Sequence, residues 1–262
     1  MTIEGHTDLP APRTEIFADK DALCASVAER LVVLLRSTVA ADGVAHVALT
    51  GGGAGIGTLA AVSELLRGDA SAAPDWRAVH IWWGDERLLP ADDAERNAQQ
   101  AREALLDELL HDHGLPEANI HPMAATEQTE SPDEGAERYA AELASHAAAG
   151  AELPSFAVVL LGVGPDGHVA SLFPGREALA ATGRSTVGEH DSPKPPPARI
   201  SLTFDAIHSA RRVWTVVAGA DKAEAVGRAF ESATPVEEIP AKNARGAEET
   251  VWHVDAAAAA HL

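Results

Sequence analysis

An aspartate and a histidine stand two residues apart, Asp166 and His168, in a glycine-rich segment of the chain. The segment follows a short apolar run over 156–161, a pattern typical of a buried parallel strand. Ligands of open α/β sheets bind beyond the carboxyl ends of the strands, which is where this segment would lie. An imidazole with an unperturbed pKa of about 6.5 serves as a general base at neutral pH. The pair therefore indicates proton-transfer chemistry.

A second glycine-rich segment, Thr50 to Gly55, follows another expected strand over 44–49. It leads into a helix expected from about Ile56 to Leu66. Free backbone N–H groups and the helix dipole make such a turn an anion-binding site. The alternative interpretation is a plain tight turn.

Neither glycine-rich segment matches a nucleotide-binding motif in full. In the segment that begins at Thr50, Thr58 stands where the triphosphate-binding loop has lysine. The segment that contains Asp166 has the glycine spacing of the dinucleotide fingerprint over 162–167. That fingerprint opens a long helix, however, and the sequence 173–175, Phe-Pro-Gly, interrupts the chain here. No spacing of histidines, cysteine and carboxylates resembles a zinc or di-metal site. We therefore expect no nucleotide cofactor and no metal.

Two lysines are candidates for binding an anion. Lys222 lies one residue after Asp221, which is expected to cap a helix together with Glu224. A cation in the first turn opposes the helix dipole at a cost of about 0.3–1 kcal/mol, and a bound anion would reverse that sign. Lys194 is flanked by prolines that could hold it in a stiff loop aimed at a ligand. The alternatives are a solvated surface lysine and a simple linker.

Strand and helix patterns alternate along the chain. Further strands are expected over 79–83 and 212–218, a helix is expected over 132–149, and Asp19 and Asp93 can each cap a helix. This alternation predicts an α/β fold with a doubly wound, mostly parallel sheet and helices on both faces. The length fits one domain spanning 1–262.

Composition limits the class of partner. The 262 residues include 20 Lys+Arg and 40 Asp+Glu, a formal net charge of −20, which argues against nucleic acid and anionic membranes as partners. An anionic small molecule would therefore need a local basic pocket. Cys24 is the single cysteine and fits a reducing compartment. The polar segment 1–19 lacks the apolar core of a signal peptide, so a cytoplasmic location is expected. Nothing in the sequence indicates the oligomeric state.

Three segments together give the chain a family resemblance. In order and spacing it resembles the 6-phosphogluconolactonases over nearly its whole length. The matching segments are 83–90 with Asn97 and 101–105, then 161–175, then 192–197 with 199–203. The block from Asp166 to Gly175 is the most specific of them.

The resemblance implies a fold shared with glucosamine-6-phosphate deaminases. It also implies metal-independent hydrolysis of 6-phospho-D-glucono-1,5-lactone, in the oxidative pentose phosphate pathway. His168 would then be the base that activates water, with Asp166 and Arg87 as its active-site companions. The phosphate or polar substrate contacts would come from Thr50, Gly51, Gly52, Gly53, Lys194 and Lys222. The family usually has a serine where this chain has Gly53, so a hydroxyl contact is missing there.

Other interpretations of the motifs differ in class. A deaminase or isomerase has a tyrosine after its Asp-Glu pair, where this chain has Arg87. A non-catalytic sugar-phosphate sensor could dispense with Asp166 and His168, and a generic α/β scaffold would use both for structure alone. For the lactonase, Arg87 or the glycine N–H groups of 162–167 could stabilise the oxyanion, and the sequence leaves that choice open.

Overall fold

The computed structural model describes residues 9–262. Residues 1–8 lie outside the described residues. They belong to the polar segment 1–19, from which we expect that the chain has no signal peptide. Within the described residues, no helix combines the length and the apolar character needed to cross a membrane.

Nine strands form two sheets within residues 9–262. They are β1 (Arg13–Phe17), β2 (Ala45–Leu49), β3 (Val79–Trp83), β4 (Asp85–Arg87), β5 (Phe156–Leu161), β6 (Thr186–Glu189), β7 (Arg199–Leu202), β8 (Arg212–Val217) and β9 (Glu249–Asp255). Six of them make a parallel sheet in the order β1-β9-β8-β5-β2-β3. The other three make a small antiparallel sheet in the order β4-β7-β6.

Seven α-helices accompany the strands in the part of the chain that the structure describes. They are α1 (Lys20–Asp42), α2 (Gly52–Gly68), α3 (Asn97–Ala101), α4 (Asp107–Asp112), α5 (Pro132–Ser145), α6 (Phe204–Ser209) and α7 (Ala223–Phe230). A π-helical turn, Arg102–Leu106, connects α3 to α4. Two apolar cores lie on opposite faces of the parallel sheet, with Trp82 in one and Trp83 in the other. The predicted α/β fold with a doubly wound sheet is confirmed.

Several helix starts differ from the sequence-based prediction. Asp19 caps α1 as expected, accepting a hydrogen bond from the Ala22 N–H at 2.8 Å. Helix α2 begins at Gly52 rather than near Ile56, because glycine adopts the φ of +77° that the entry to this helix requires. The prediction that Asp93 caps a helix is wrong: its carboxylate closes a turn on the Glu95 N–H, and α3 begins four residues later.

The start of α7 and the end of α5 also differ. Lys222, not Asp221, is the N-cap residue of α7, and no side chain caps that helix. The expected capping box is therefore wrong. Asp221 instead lies in a short 3₁₀ turn, Ala220–Lys222, where its carboxylate pairs with the Lys222 ammonium. Helix α5 begins at Pro132 as expected and ends at Ser145, four residues before the predicted end.

The order of the strands locates a crevice in the large sheet. From β2 the chain passes outward to β3, then returns to β5 on the other side of β2 and continues through β8 to β9. The direction of winding thus reverses between β2 and β5. Doubly wound sheets bind ligands at such a reversal, outside the carboxyl ends of the strands. Thr50 follows β2 and Gly162 follows β5, so both glycine-rich segments lie at this point.

Candidate active site

A cavity of about 420 Å³ opens at this crevice. Its walls include the start of α2, the turn after β5, the small antiparallel sheet and the start of α7. Five cationic side chains line it: Lys20, Arg87, Lys194, Arg199 and Lys222. In a chain with a net charge of −20, this concentration of cations makes a local basic pocket suited to an anionic ligand.

His168 and Asp166 are in direct contact at one wall of the cavity. His168 Nδ1 lies 2.5 Å from Asp166 Oδ1, and Lys194 Nζ donates to the same oxygen at 3.2 Å. Burial alone would raise the pKa of Asp166, but the hydrogen bond from His168 and the positive charges nearby lower it far below its ordinary value. An ionised Asp166 accepts the Nδ1 proton, which leaves Nε2 of His168 as the nitrogen that can take up a proton.

Neighbouring residues fix the orientation of this pair. The His168 ring packs on Phe173 with ring centroids 4.4 Å apart. A Cβ atom at Gly164 would overlap both the His168 ring and the Asp166 carboxylate, so only glycine fits there. Gly167 has a φ of +80°, which closes the turn between the two glycines, with its N–H bonded to the Gly164 carbonyl at 2.9 Å. The imidazole is therefore held in one rotamer.

The glycine-rich segment 50–53 forms the entry to α2. Gly51 is the N-cap residue and has no side chain to bond the first N–H groups of the helix. Those donors and the positive end of the helix dipole lie at the cavity wall, an arrangement that binds anions. A Cβ atom at Gly53 would meet nothing within 4 Å, so the space of the usual family serine is open here.

Thr50 connects the two glycine-rich segments. Its Oγ1 accepts a hydrogen bond from the Gly162 N–H at 3.1 Å, and the residue is buried. The adjacent Gly51 packs so closely on Asn97 that a Cβ atom would overlap its side-chain amide. The segment is thus fixed on two sides, by the turn after β5 and by α3.

Arg87 reaches the cavity from β4. Its Nη1 donates to the Glu95 carbonyl at 2.6 Å, while its Nε is buried with no hydrogen-bond partner among the described residues. The preceding residue, Glu86, is fully buried and accepts N–H bonds from Arg87 at 2.8 Å, from Asn97 at 2.8 Å and from Ala98 at 2.9 Å. This carboxylate anchors the start of α3 against β4 and so holds the Arg87 backbone in place.

Lys222 reaches the cavity from the opposite side. It stands at the N-terminus of α7, and its Nζ lies 2.9 Å from Asp221 Oδ2. The Lys222 ammonium lowers the pKa of the exposed Asp221. The ammonium therefore has one exposed carboxylate as its ion-pair partner while it also lines the cavity.

Among the polar and charged side chains that line the cavity, those of Lys20, Asp85, Asn97 and Arg199 had no assigned role in the sequence-based prediction. Asp85 Oδ2 accepts a hydrogen bond from Ser171 Oγ at 2.7 Å, which ties β4 to the turn after His168. Arg199 donates to the carbonyls of Lys194, Pro195 and Pro196, each at 3.2 Å, and so shapes the proline-rich loop. Asp85, Asn97 and Arg199 lie within the segments that carry the family resemblance, and that resemblance was the available signal. Lys20 lies outside those segments and had no signal.

Comparison with known proteins agrees with this architecture. Residues 18–252 match the family model described as glucosamine-6-phosphate isomerases/6-phosphogluconolactonase. The chain belongs to this family. It is 45% identical over 259 residues to a 6-phosphogluconolactonase of Streptomyces coelicolor, covering 96% of this chain and 95% of the relative. It is also 45% identical over 250 residues to one of Mycobacterium tuberculosis, covering 95% and 97%.

Solved structures of family members superpose along nearly the whole chain. A 6-phosphogluconolactonase of Trypanosoma brucei matches with a TM-score of 0.77 and 30% identity, covering 96% of this chain and 99% of that one. A monomeric glucosamine-6-phosphate deaminase shares the fold, with a TM-score of 0.74 at 18% identity over 95% of this chain and 100% of that one. The predicted family and its fold shared with the deaminases are therefore confirmed.

Proposed function

We propose that the protein hydrolyses 6-phospho-D-glucono-1,5-lactone to 6-phosphogluconate, the second step of the oxidative pentose phosphate pathway. The two relatives at 45% identity are named 6-phosphogluconolactonases, which are lactone hydrolases. The observation that carries the proposal is the His168–Asp166 pair at the wall of a cation-lined cavity. A phosphorylated cyclic ester needs both features, a base for water and a cationic site for phosphate.

In the proposed reaction His168 is the general base. Its Nε2 takes a proton from water as the water oxygen attacks the lactone carbonyl carbon. The tetrahedral intermediate then collapses, the bond from the former carbonyl carbon to the ring oxygen breaks, and protonated His168 returns the proton to the leaving oxygen. Asp166 holds the ring through Nδ1 and stabilises the imidazolium, because it stays ionised. General base catalysis of this kind contributes about 10²–10⁴-fold.

Arg87 is the donor that we propose for the oxyanion. The three glycine N–H groups of 162–167 already have acceptors: Gly162 bonds Thr50 Oγ1, Gly164 bonds the His168 carbonyl, and Gly167 bonds the Gly164 carbonyl. Arg87 Nε has none among the described residues, although it is buried. A buried donor without a partner is costly, and an oxyanion forming beside it would supply the missing acceptor.

The phosphate would bind at the start of α2. Gly51, Gly52 and Gly53 offer backbone N–H groups there without a competing side-chain cap, and Thr50 is placed beside them. Lys222 and Lys194 would add positive charge from the other walls of the cavity. Binding the phosphate end would hold the lactone ring in position for the base.

The proposed chemistry uses no metal. The two aspartates of the site already have hydrogen-bond partners: Asp85 Oδ2 accepts from Ser171, and Asp166 Oδ1 binds His168 and Lys194. The surrounding cations would also repel a divalent ion. Cytoplasmic location is part of the same proposal, supported by the free, buried thiol of Cys24.

A coupled assay tests the proposed activity. Glucose-6-phosphate dehydrogenase generates the lactone, and 6-phosphogluconate dehydrogenase reports the acid, at slightly acidic pH where spontaneous opening is slow. We expect lactone opening to accelerate in proportion to the added protein. Treating the protein with EDTA before it is mixed with the assay enzymes should leave this rate unchanged. Ammonia release from glucosamine 6-phosphate, without acceleration of lactone opening, would show a deaminase instead. Ligand binding without either reaction would show a sugar-phosphate sensor.

A further inference from the structure

Three histidines meet at the end of the parallel sheet opposite to the catalytic cavity. His80 is the second residue of β3, His121 follows the segment that pairs with Ile81, and His146 follows the last residue of α5. One ring nitrogen from each lies within 4.8 Å of the other two. His80 and His121 are 41 positions apart in the chain, and His121 and His146 are 25 apart. No local sequence motif therefore indicates the cluster, and the sequence-based prediction is that the protein has no metal site.

The distances within the cluster are close to those of a coordination sphere. His80 Nδ1 lies 2.9 Å from His121 Nε2. In a tetrahedral zinc site with Zn–N distances of about 2.0–2.1 Å, two ligand nitrogens are about 3.3 Å apart. His146 is the more distant ligand. It is partly exposed and directly follows a helix, so a small side-chain rotation brings it within coordination distance.

Glu142 orients two of the three rings. Its Oε1 lies 2.9 Å from His121 Nδ1, and its backbone carbonyl lies 3.1 Å from His146 Nδ1. Both contacts place the proton on Nδ1 and leave Nε2 as the ligand nitrogen. A carboxylate or carbonyl behind a metal-binding histidine is the usual second partner of such a ligand. The His121–Glu142 contact gives this cluster the same arrangement.

Packing holds two of the three rings in place. The His121 ring stacks on Trp82 with centroids 3.9 Å apart, and the His80 and His121 rings are nearly parallel, at 5°. Burial holds the pKa of His80 and of His121 below its ordinary value, although the hydrogen bond to Glu142 raises the pKa of His121, and this lowering favours the neutral form of both rings. Neutral imidazole is the form that binds a metal.

We propose that His80, His121 and His146 bind a divalent transition metal ion, with Zn²⁺ as the best match. Imidazole nitrogen suits zinc and its neighbours in the first transition row, and three ligands leave one position for water. His80 and His146 are both partly exposed, so solvent reaches the cluster.

The consequence of this site is structural. The ion joins β3, the edge strand of the parallel sheet, to the carboxyl end of α5, and so closes a chain segment of 66 residues between His80 and His146. Linking distant parts of the chain lowers the entropy of the unfolded state. The site lies at the amino ends of the strands, whereas the catalytic cavity lies at their carboxyl ends, so this metal takes no part in lactone hydrolysis.

Titration calorimetry with Zn²⁺ and Ni²⁺ on protein without a histidine tag tests the site. We expect one ion to bind per chain. The Tm of the protein with excess Zn²⁺ should be a few degrees higher than the Tm of EDTA-treated protein. Co²⁺ should give the visible absorption bands of a tetrahedral centre with nitrogen ligands.

Variants show whether these histidines are the ligands. Glu142→Gln should weaken Zn²⁺ binding by about 10–10²-fold, the usual effect of losing a second partner, and His146→Gln should weaken it at least as much. His111→Gln, which changes an exposed histidine of α4 outside the cluster, should bind as the wild type does. The Tm of each variant in EDTA shows that it folds.

Two outcomes would overturn the proposal. One is wild-type protein that binds neither Zn²⁺ nor Ni²⁺. The other is Zn²⁺ binding that His146→Gln and His80→Gln leave unchanged, because the ion would then lie elsewhere. Lactonase activity is measured separately with and without Zn²⁺, so the failure of this site and the failure of the proposed reaction are distinguishable.

Discussion

Arg87 and Arg199 lie directly opposite each other on the antiparallel strands β4 and β7. Like charges in this position destabilise a sheet unless opposite charge compensates them. Burial lowers the pKa of Arg199, while the nearby Asp85 carboxylate raises it. Both arginines line the cavity, so an anionic ligand would add to the compensation that Asp85 gives. The small sheet thus delivers two guanidinium groups to the site from one cross-strand pair.

Arg87→Lys separates charge from geometry at this pair. Lysine keeps the positive charge but loses the planar fork that presents Nε and Nη to an oxyanion. If Arg87 stabilises the oxyanion, we expect kcat to fall by about 10²–10³-fold with little change in KM. Steady-state kinetics at saturating lactone measures both. A raised KM with unchanged kcat would contradict this role and assign Arg87 to ground-state binding.

Asp166→Asn tests the support of the catalytic base. The amide keeps the shape but loses the charge that binds the His168 Nδ1 proton and Lys194. A charge-assisted hydrogen bond contributes about 1.5–3 kcal/mol, so we expect kcat to fall about 10–10²-fold. Asp191→Asn, at an exposed aspartate of the proline-rich loop, is the matched control. Equal kcat in the two variants would remove Asp166 from the mechanism.

Lys222→Met removes the ammonium and keeps much of the apolar stem. Since phosphate binding is remote from the reacting carbon, we expect mainly a rise in KM, of about tenfold for one lost charge–phosphate contact of about 1.4 kcal/mol. Lys222→Arg should recover most of the affinity because it retains the charge. Initial rates over a range of lactone concentrations measure the effect. An unchanged KM in Lys222→Met would make Lys222 an ordinary surface residue.

His253 gives the fold a dependence on pH. It is fully buried in β9, and burial lowers its pKa to about 4, against about 6.5 in the unfolded chain. Between these values the unfolded state binds the proton and the folded state does not, so acidification favours unfolding by about 1.4 kcal/mol per pH unit.

We therefore expect His253→Leu to gain stability relative to the wild type as pH falls from 6.5 to 5. Urea unfolding at both values measures the difference between the two proteins. A difference that stays constant with pH would show that His253 does not carry this linkage.

The predictable part of the fold is the part with apolar periodicity. The strand at 156–161 is confirmed residue for residue, and the Asp19 helix cap is confirmed. The small antiparallel sheet was not predicted from the sequence, because β4 consists of Asp85, Glu86 and Arg87, which have no apolar pattern. Those residues form a strand because β7 pairs with them, and that pairing is tertiary.

The predictable part of the site is the part that is local in sequence. Asp166 and His168 are separated by one residue, Gly167, and the turn at this glycine brings their side chains together. Arg199 and Lys20 reach the cavity only through the folding of the whole chain, as do the three histidines of the proposed metal site. Residues that meet across long stretches of sequence leave no spacing to recognise.

The central claim is that His168 activates water on the lactone carbonyl. The direct test follows C1 of 6-phospho-D-glucono-1,5-lactone labelled with ¹³C by NMR, with equal amounts of wild-type protein and His168→Ala. We expect wild-type protein to convert the lactone signal to the carboxylate signal well above the spontaneous rate, and His168→Ala to be slower by about 10²–10⁴-fold while still binding 6-phosphogluconate. Equal rates in the two proteins would show that His168 is not the base that activates water.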